Sequence, residues 1–371
     1  MRIIVKMSIL LTFISCRNPG RINTIYYSSR DVLADSFTIE GVRSLSGFLN
    51  VELLSDTELF MYNMEGSSMD YFYRKEKKEQ FRFRNSVSVN DGQSLQAFFK
   101  LTDNSGWGIV DDTNQLYLYD KSFNRGRQID LPVHFGKLGK NVNLVSNMNA
   151  PMLMLRNDIL GSYCYRDISD YNVWLHEKQF FKISIINDSF CKSSSFFEKP
   201  PGLYRFFLPA PSFCYYKEGI ICLYPCYDTL YYFHFENQLT EKVSLNNPDF
   251  SLPQLWDNNE MFGPDFSSYR TKYEISNFRY EGVFFNENTR HFIFFYVVPM
   301  PPVDDGVPLP TEQKRYALVM DSNFKKVGSF SFDRHFFNPS NYFIIPGKGL
   351  AMPVFLNKSS YENTMYYIFN F

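Results

Sequence analysis

The sequence predicts an all-β chain arranged as a six-bladed β-propeller, and three observations predict it. An aromatic strand, then Asp, Glu or Asn, two residues, and a Phe or Leu returns along the chain, as in Leu116-Tyr117-Leu118-Tyr119-Asp120 with Phe123. Such self-similarity marks stacked copies of one supersecondary unit. Aromatic residues make up 18% of the 371 residues, with 39 Phe and 26 Tyr, and rings of that size suit half-buried pleated surfaces. No stretch sustains the apolar period of a helix.

Taken in order, the first unit carries a weaker copy of the phrase, Tyr71-Phe72-Tyr73 before Arg74. The second ends at Asp120, and Arg127-Gln128-Ile129-Asp130-Leu131 after it alternates like a strand with one face in water. The third reads Ile183-Ser184-Ile185-Ile186-Asn187 with Phe190, the fourth Tyr232-Phe233-His234-Phe235-Glu236 with Leu239, and the fifth Ala317-Leu318-Val319-Met320-Asp321 with Phe324. The sixth is the weaker copy Met365-Tyr366-Tyr367-Ile368-Phe369 before Asn370. In each, the polar marker and the two residues after it read as a hairpin turn, and the Phe or Leu as the opening of the next strand. Most intervals between markers fall near the roughly 40 to 50 residues of a four-stranded blade. The longer ones, Asp120 to Asn187 and Glu236 to Asp321, carry insertions. Continuous apolar runs such as His291 to Val298 read as inner strands covered on both faces.

The chain stops soon after the sixth strand, so that unit lacks an outer strand. Ser36-Phe37-Thr38-Ile39-Glu40 lies before the first unit and has no hairpin partner of its own. Joining the two closes the ring and removes an exposed edge. Residues 36–371 are therefore read as one propeller domain.

Residues 1–15 have the layout of an export signal: Arg2 and Lys6 precede the apolar run Met7 to Ile14, which is shorter than the about 20 residues of a spanning helix. Thr12-Phe13-Ile14-Ser15-Cys16 matches a lipobox, with Phe13 where Leu is preferred, so Cys16 is the expected lipid acceptor; the alternative is an ordinary signal with an incidental cysteine. Residues 16–35, beginning with the turn-rich Arg17-Asn18-Pro19-Gly20-Arg21, read as a tether. With six units, this start and this phrase, the chain resembles the TolB-like six-bladed β-propeller lipoproteins of bacterial envelopes. The resemblance implies a periplasmic, membrane-anchored binding or scaffolding module and carries over no catalytic residue.

The formal net charge of −1 provides no field to draw nucleic acid. Phosphate-cradle, zinc-hydrolase, nucleophile-elbow and calcium-loop motifs are absent, no cofactor is expected, and His134, His176, His234, His291 and His335 fall in different units without metal-ligand spacing. His234 and His291, inside aromatic strands, read as packed residues. Besides Cys16, five cysteines remain: Cys164, Cys191, Cys214, Cys222 and Cys226. Cys222 and Cys226 either bridge across Pro225 or pack as buried thiols.

The first insertion, Asn157 to Lys178, reads as a recognition loop: Tyr163, Tyr165, Arg166, Trp174 and His176 combine rigid amphipathic rings with oriented donors. The second, Asn246 to Tyr280, adds Trp256 and the carboxylates Asp257, Glu260 and Asp265. The proline-rich run Val298 to Pro310 and the mixed-charge segment Arg74 to Glu79 read as an exposed loop and a solvated turn. The leading functional reading is a non-catalytic module that binds an envelope protein, peptide or glycan; the alternative is a polysaccharide hydrolase or lyase with residues gathered at the propeller axis. Cys16→Ala is expected to move the protein from the membrane fraction to the soluble fraction on fractionation; unchanged membrane retention would contradict the anchor.

Overall fold

The computed structural model of the chain describes residues 27–28, 33–40, 48–55, 57–63, 68–75, 80–88, 95–101, 106–111, 113–120, 124–131, 142–145, 152–155, 158–165, 180–184, 189–192, 211–217, 219–237, 239–254, 266–300, 313–332, 342–345, 347–354 and 363–371. Two strands come first, β1 (Tyr27–Ser28) and β2 (Leu33–Glu40). The chain then runs in groups of antiparallel strands, each pairing with the next in sequence. The first group is β3 (Phe48–Ser55), β4 (Glu58–Asn63), β5 (Ser68–Tyr73) and β6 (Gln80–Ser88). The second is β7 (Leu95–Lys100), β8 (Gly106–Asp111), β9 (Gln115–Asp120) and β10 (Arg125–Asp130).

The third group departs from the rule: β11 (Val142–Val145) and β12 (Leu153–Leu155) both pair with β13 (Asp158–Tyr165), which pairs with β14 (Phe180–Ser184), and that with β15 (Ser189–Lys192). The fourth is β16 (Ser212–Tyr216), β17 (Gly219–Leu223), β18 (Thr229–His234) and β19 (Thr240–Ser244). A helix, α1 (Phe266–Ser276), precedes β20 (Arg279–Asn286), β21 (His291–Val297), β22 (Arg315–Asp321) and β23 (Lys326–Ser331). The chain ends with β24 (Phe343–Ile345), β25 (Gly349–Pro353) and β26 (Asn363–Phe369).

The repeated phrase falls on the third strand of its group in β5, β9, β18, β22 and β26; Ile183-Ser184 of the third copy end β14, third along the path β11-β13-β14-β15, and Ile185 to Asn187 lie outside the described residues. A third strand lies inside its sheet, with a ladder on each edge, and its nearly unbroken apolar run fits a strand whose two faces are both covered. The same holds for β21, on which Phe292 to Val297 are all buried. The polar marker has a specific duty. Asp321 Oδ1 accepts the backbone N–H groups of Asn323 (2.8 Å) and Lys325 (2.9 Å), and Asp120 likewise receives the N–H of Asn124 at 2.9 Å. These carboxylates satisfy turn donors that strand pairing leaves over.

Of the residues after the marker, expected from the sequence to open the next strand, Phe190 does so on β15, opposite Ile183, and Phe324 and Leu239 do not. Phe324 sits in the turn itself with φ 59°, a conformation uncommon for a side chain of its size. Its ring compensates by lying over Phe292, with centroids 5.1 Å apart and planes 20° from parallel. Leu239 also precedes its strand and is exposed, while Phe123 lies outside the described residues. A further regularity, not read from the sequence, is a glycine at the start of a second strand. A Cβ on Gly106 would stand 1.8 Å from the carbonyl oxygen of Tyr119, so only glycine permits β8 to approach β9 this closely.

The N-terminal strand pairs where the sequence placed it. β2 is antiparallel to β26, with Phe37 opposite Tyr366 and Ile39 opposite Thr364. It is also parallel to β6, with Ile39 opposite Phe81, so β2 joins the last three strands and the first four in one eight-stranded sheet. β1, within the stretch read as a tether, pairs in parallel with β23 through Tyr27 and Phe330. The fold therefore begins inside the stretch 16–35.

Apolar side chains join one group to the next. Phe60 and Trp107 meet at right angles, 4.8 Å apart, between the first and second groups. Leu160 packs into the cluster of Phe213 and Ile220, between the third and fourth. Tyr216 lies 4.5 Å from Phe285 and 4.8 Å from Phe292, between the fourth and fifth. Phe295 faces Tyr342 at 5.0 Å and Phe332 faces Phe369 at 5.7 Å, between the fifth and the last three strands. The first strands of several groups also lie side by side: β24 by β3, β3 by β7, β7 by β11 and β12, and β16 by β20.

The insertion before β20 contains α1, which the sequence did not reveal. Of its residues, Ile275 is buried, and the segment Phe-Ser-Ser-Tyr-Arg-Thr-Lys-Tyr-Glu-Ile-Ser has no apolar stripe to betray it. Local hydrogen bonds fasten it instead: Asn277 Nδ2 donates to the Tyr273 carbonyl at 2.7 Å, and Asn277 Oδ1 accepts the Gln254 N–H at 2.7 Å. Of the proline-rich run only residues 298–300 are described.

Phe37 is 2% exposed and stacked on Tyr366 at 5.1 Å, with planes 4° apart. Phe37→Ala is predicted to cost about 3–5 kcal/mol, read as a lower denaturant midpoint. Phe83→Ala, at a half-exposed ring, should change stability by less than about 0.5 kcal/mol.

Candidate functional site

The concavity with the most varied chemistry lies at the end of the β5–β6 hairpin. Its volume is about 600 Å³, and Tyr73, Arg74, Lys75, Gln80, Arg82, Phe83 and Arg84 line it. Along β6, Gln80, Arg82 and Arg84 alternate with Phe81 and Phe83, the pattern of a strand with two unlike faces. Phe81 is buried, but Phe83 is 50% exposed and Tyr73 42% exposed. The register slips here: Phe83 faces Phe72 and Asn85 faces Tyr71, so Arg84 has no residue opposite. Such a slip bends a strand and re-aims its side chains.

Neighbouring groups hold the cations in place without burying them. The Arg74 guanidinium lies 4.6 Å above the Phe81 ring, and the Arg74 N–H donates to the Thr57 carbonyl at 2.9 Å. Arg82 Nε is 3.2 Å from Glu40 Oε2 on β2, which also accepts from Gln80 Nε2 at 3.3 Å. Arg84 Nη1 is 3.5 Å from Glu58 Oε1 on β4. Both ion pairs face water, with 70% and 64% of the arginine side chains exposed, so each contributes little to stability. The site thus offers guanidinium forks held by exchangeable partners beside two uncovered rings. Guanidinium forks pair with anions, and exposed rings cover flat or ring-shaped bodies.

A second charged cluster is the reverse case. Glu281 accepts from Arg315 Nε at 2.7 Å and Arg279 Nη2 at 2.9 Å, with all three side chains largely buried. Arg279 Nη1 also donates to the Glu274 carbonyl at 2.6 Å and to Gln313 Oε1 at 2.8 Å. Burial by itself would raise the Glu281 carboxyl, but the charges and hydrogen bonds of Arg315 and Arg279 together outweigh it and hold the group below its ordinary value. The cluster links α1, β20 and β22, and the cavity beside Glu274 and Arg279, about 20 Å³, has room for a water and not for a larger ligand. Nearby, the Tyr280 hydroxyl donates to Asp228 Oδ1 at 2.6 Å and the Tyr296 hydroxyl to Asp249 Oδ2 at 2.7 Å, which secures the segment after β19.

Of the residues proposed from the sequence, Tyr163 and Tyr165 lie on β13, opposite Leu144 and Val142, and so on a paired strand where a loop was expected. The stretch from Asn157 could supply the β-branched and aromatic residues of a strand, Ile159, Tyr163 and Tyr165, and its ladder to β11 overrides the loop reading. Cys16, Arg166, Trp174, His176 and Trp256 lie outside the described residues, as do Asp257, Glu260 and Asp265. Cys222 and Cys226 are free, buried thiols with no bridge between them. Burial pushes the Cys226 thiol up to about 12, away from a reactive thiolate. His234 Nε2 stands 3.2 Å from Glu241 Oε1, within ion-pair reach but not aligned as a hydrogen bond. Among the described residues no three His, Cys, Asp or Glu side chains converge as a metal site.

No family model and no curated protein matches the chain. Solved structures do. A member of the DUF4221 family from Bacteroides vulgatus ATCC 8482 superimposes with TM-score 0.66 at 14% identity, over 91% of this chain and 97% of that one. A protein of Bacteroides fragilis NCTC 9343 described as exported gives TM-score 0.52 at 11% identity, over 94% and 98%. At these identities the likeness is one of fold.

Glu281 ionises more readily folded than unfolded, so its contribution is complete above the ordinary carboxylate range and is lost as pH falls through its lowered folded value. Glu281→Gln is predicted to cost about 3–5 kcal/mol at neutral pH by leaving two buried guanidiniums uncompensated. The deficit relative to the native protein should shrink in urea titrations below about pH 4.

Proposed function

We propose that the chain is an exported six-bladed β-propeller of TolB-like arrangement, held at the envelope through Cys16, that works as a non-catalytic binding module with its ligand seated in the Arg82–Phe83 concavity. The observation that carries the binding reading is the concavity itself: guanidiniums in exchangeable ion pairs beside exposed Tyr73 and Phe83. The ring reading is supported by the recurrence of one phrase on inner strands, by aromatic contacts between the first and second, the fourth and fifth, and the fifth and last groups, and by β2 pairing with β26. In this reading the eight-stranded sheet is the first and sixth blades joined by β2. Export is supported by the charged and apolar start of the chain and by the Bacteroides fragilis neighbour described as exported.

Ordered groups that accept a ligand without reacting with it need preorganised donors and a surface to cover, and both are present. Among the described residues the lining carries no thiol, imidazole or carboxylate, and the carboxylates beside it, Glu40 and Glu58, are paired with Arg82 and Arg84. Screening the purified protein against glycan and peptide arrays is predicted to return ligands whose affinity falls at least tenfold in the Arg82→Gln, Arg84→Gln double variant, with an unchanged circular dichroism spectrum. Ligands bound equally by the double variant, or a substrate turned over by the native protein, would overturn the reading; turnover would favour a polysaccharide hydrolase or lyase.

A further inference from the structure

Resting on the binding reading above, we infer that the concavity takes a carboxylated sugar, a uronate-containing glycan, with a ligand carboxylate replacing Glu40 on Arg82 and a sugar ring face covering Tyr73, which stands opposite Arg82 on β5.

The charge pattern argues for a carboxylate. Arg82 already holds one, the Glu40 Oε2 at 3.2 Å, and Arg84 stands 3.5 Å from a second. These geometries show what the forks accept, since planar guanidinium matches carboxylate. Both pairs are solvent-exposed and therefore cheap to exchange. An incoming carboxylate restores the same bond and frees Glu40, which keeps Gln80 Nε2 as a partner at 3.3 Å.

The rings argue for a sugar over an acidic peptide. Tyr73 and Phe83 belong to the few large apolar side chains left exposed among the described residues, and they flank the cations on one hairpin. Aspartate and glutamate side chains bring a carboxylate but no ring face to cover them, whereas a uronate carries its carboxylate on the ring. The volume of about 600 Å³ lies within the range of small-ligand sites, about 300–1,000 Å³, and admits a short oligosaccharide. An anionic bilayer is a poorer match, because a flat layer of headgroups does not enter a concavity on one hairpin.

The test titrates the purified protein with four probes: a galacturonate tetramer, its carboxyl-reduced neutral counterpart, polyglutamate, and phosphatidylglycerol vesicles. The tetramer should bind at least tenfold tighter than the neutral counterpart and tighter than polyglutamate. Arg82→Gln and Tyr73→Ala should each weaken it about tenfold, and Arg82→Lys, which keeps the charge but not the fork, should only partly restore affinity. Equal affinity for the neutral sugar, or preference for polyglutamate or vesicles that is lost in the same variants, would overturn the uronate assignment while leaving a binding module. Silence toward all four probes would overturn the assignment too, and the array screen would then decide the module separately.

Discussion

The pairing of β2 with β26 on one side and β6 on the other is the constraint on which the arrangement rests. Strands from opposite ends of the chain otherwise leave two open edges, each with unpaired donors and acceptors. β2 covers both at once, and it does so with side chains as well as ladders. Phe37 stacks on Tyr366 and meets Phe81 edge-on at 5.4 Å, so one ring joins the C-terminal strands to the first hairpin. Closing so long a chain costs loop entropy that grows only slowly with length, and a buried aromatic trio is enough to offset much of it.

The same hairpin that receives β2 forms the concavity. Glu40 ends β2 and holds Arg82, so the far N-terminal strand shapes the concavity as well as the eight-stranded sheet. The contrast with Glu281 shows how burial assigns duties to identical chemistry. Two arginines around one buried carboxylate fasten α1 to β20 and β22, whereas two exposed arginine–carboxylate pairs on β6 remain free to exchange partners. The first pattern is destabilised by removal of a member; the second loses little.

Much of the architecture was legible because it is local. The aromatic phrase marks third strands since those carry ladders on both sides, and the polar marker is needed wherever turn N–H groups lack a partner, as Asp321 and Asp120 show. The partner of β2 was legible from a missing strand at one end and a spare one at the other. What escaped was set by tertiary context. α1 has no apolar stripe, Phe324 enters the turn because the Phe292 ring rewards it, and β13 is a strand because β11 and β12 lie against it. The concavity escaped for the same reason: Gln80 to Arg84 alternates visibly, but the slip at Arg84 and the arrival of Glu40 from a distant strand turn a solvated hairpin into a cradle.

Hydrogen exchange followed by mass spectrometry tests the central claim most directly, by comparing the peptides spanning residues 33–40 and 363–369. The account predicts that both are protected together and open only with global unfolding, at a common free energy. Rapid exchange of 33–40 while 363–369 stays protected would show that the terminal strand merely decorates the sheet and that the arrangement does not depend on it.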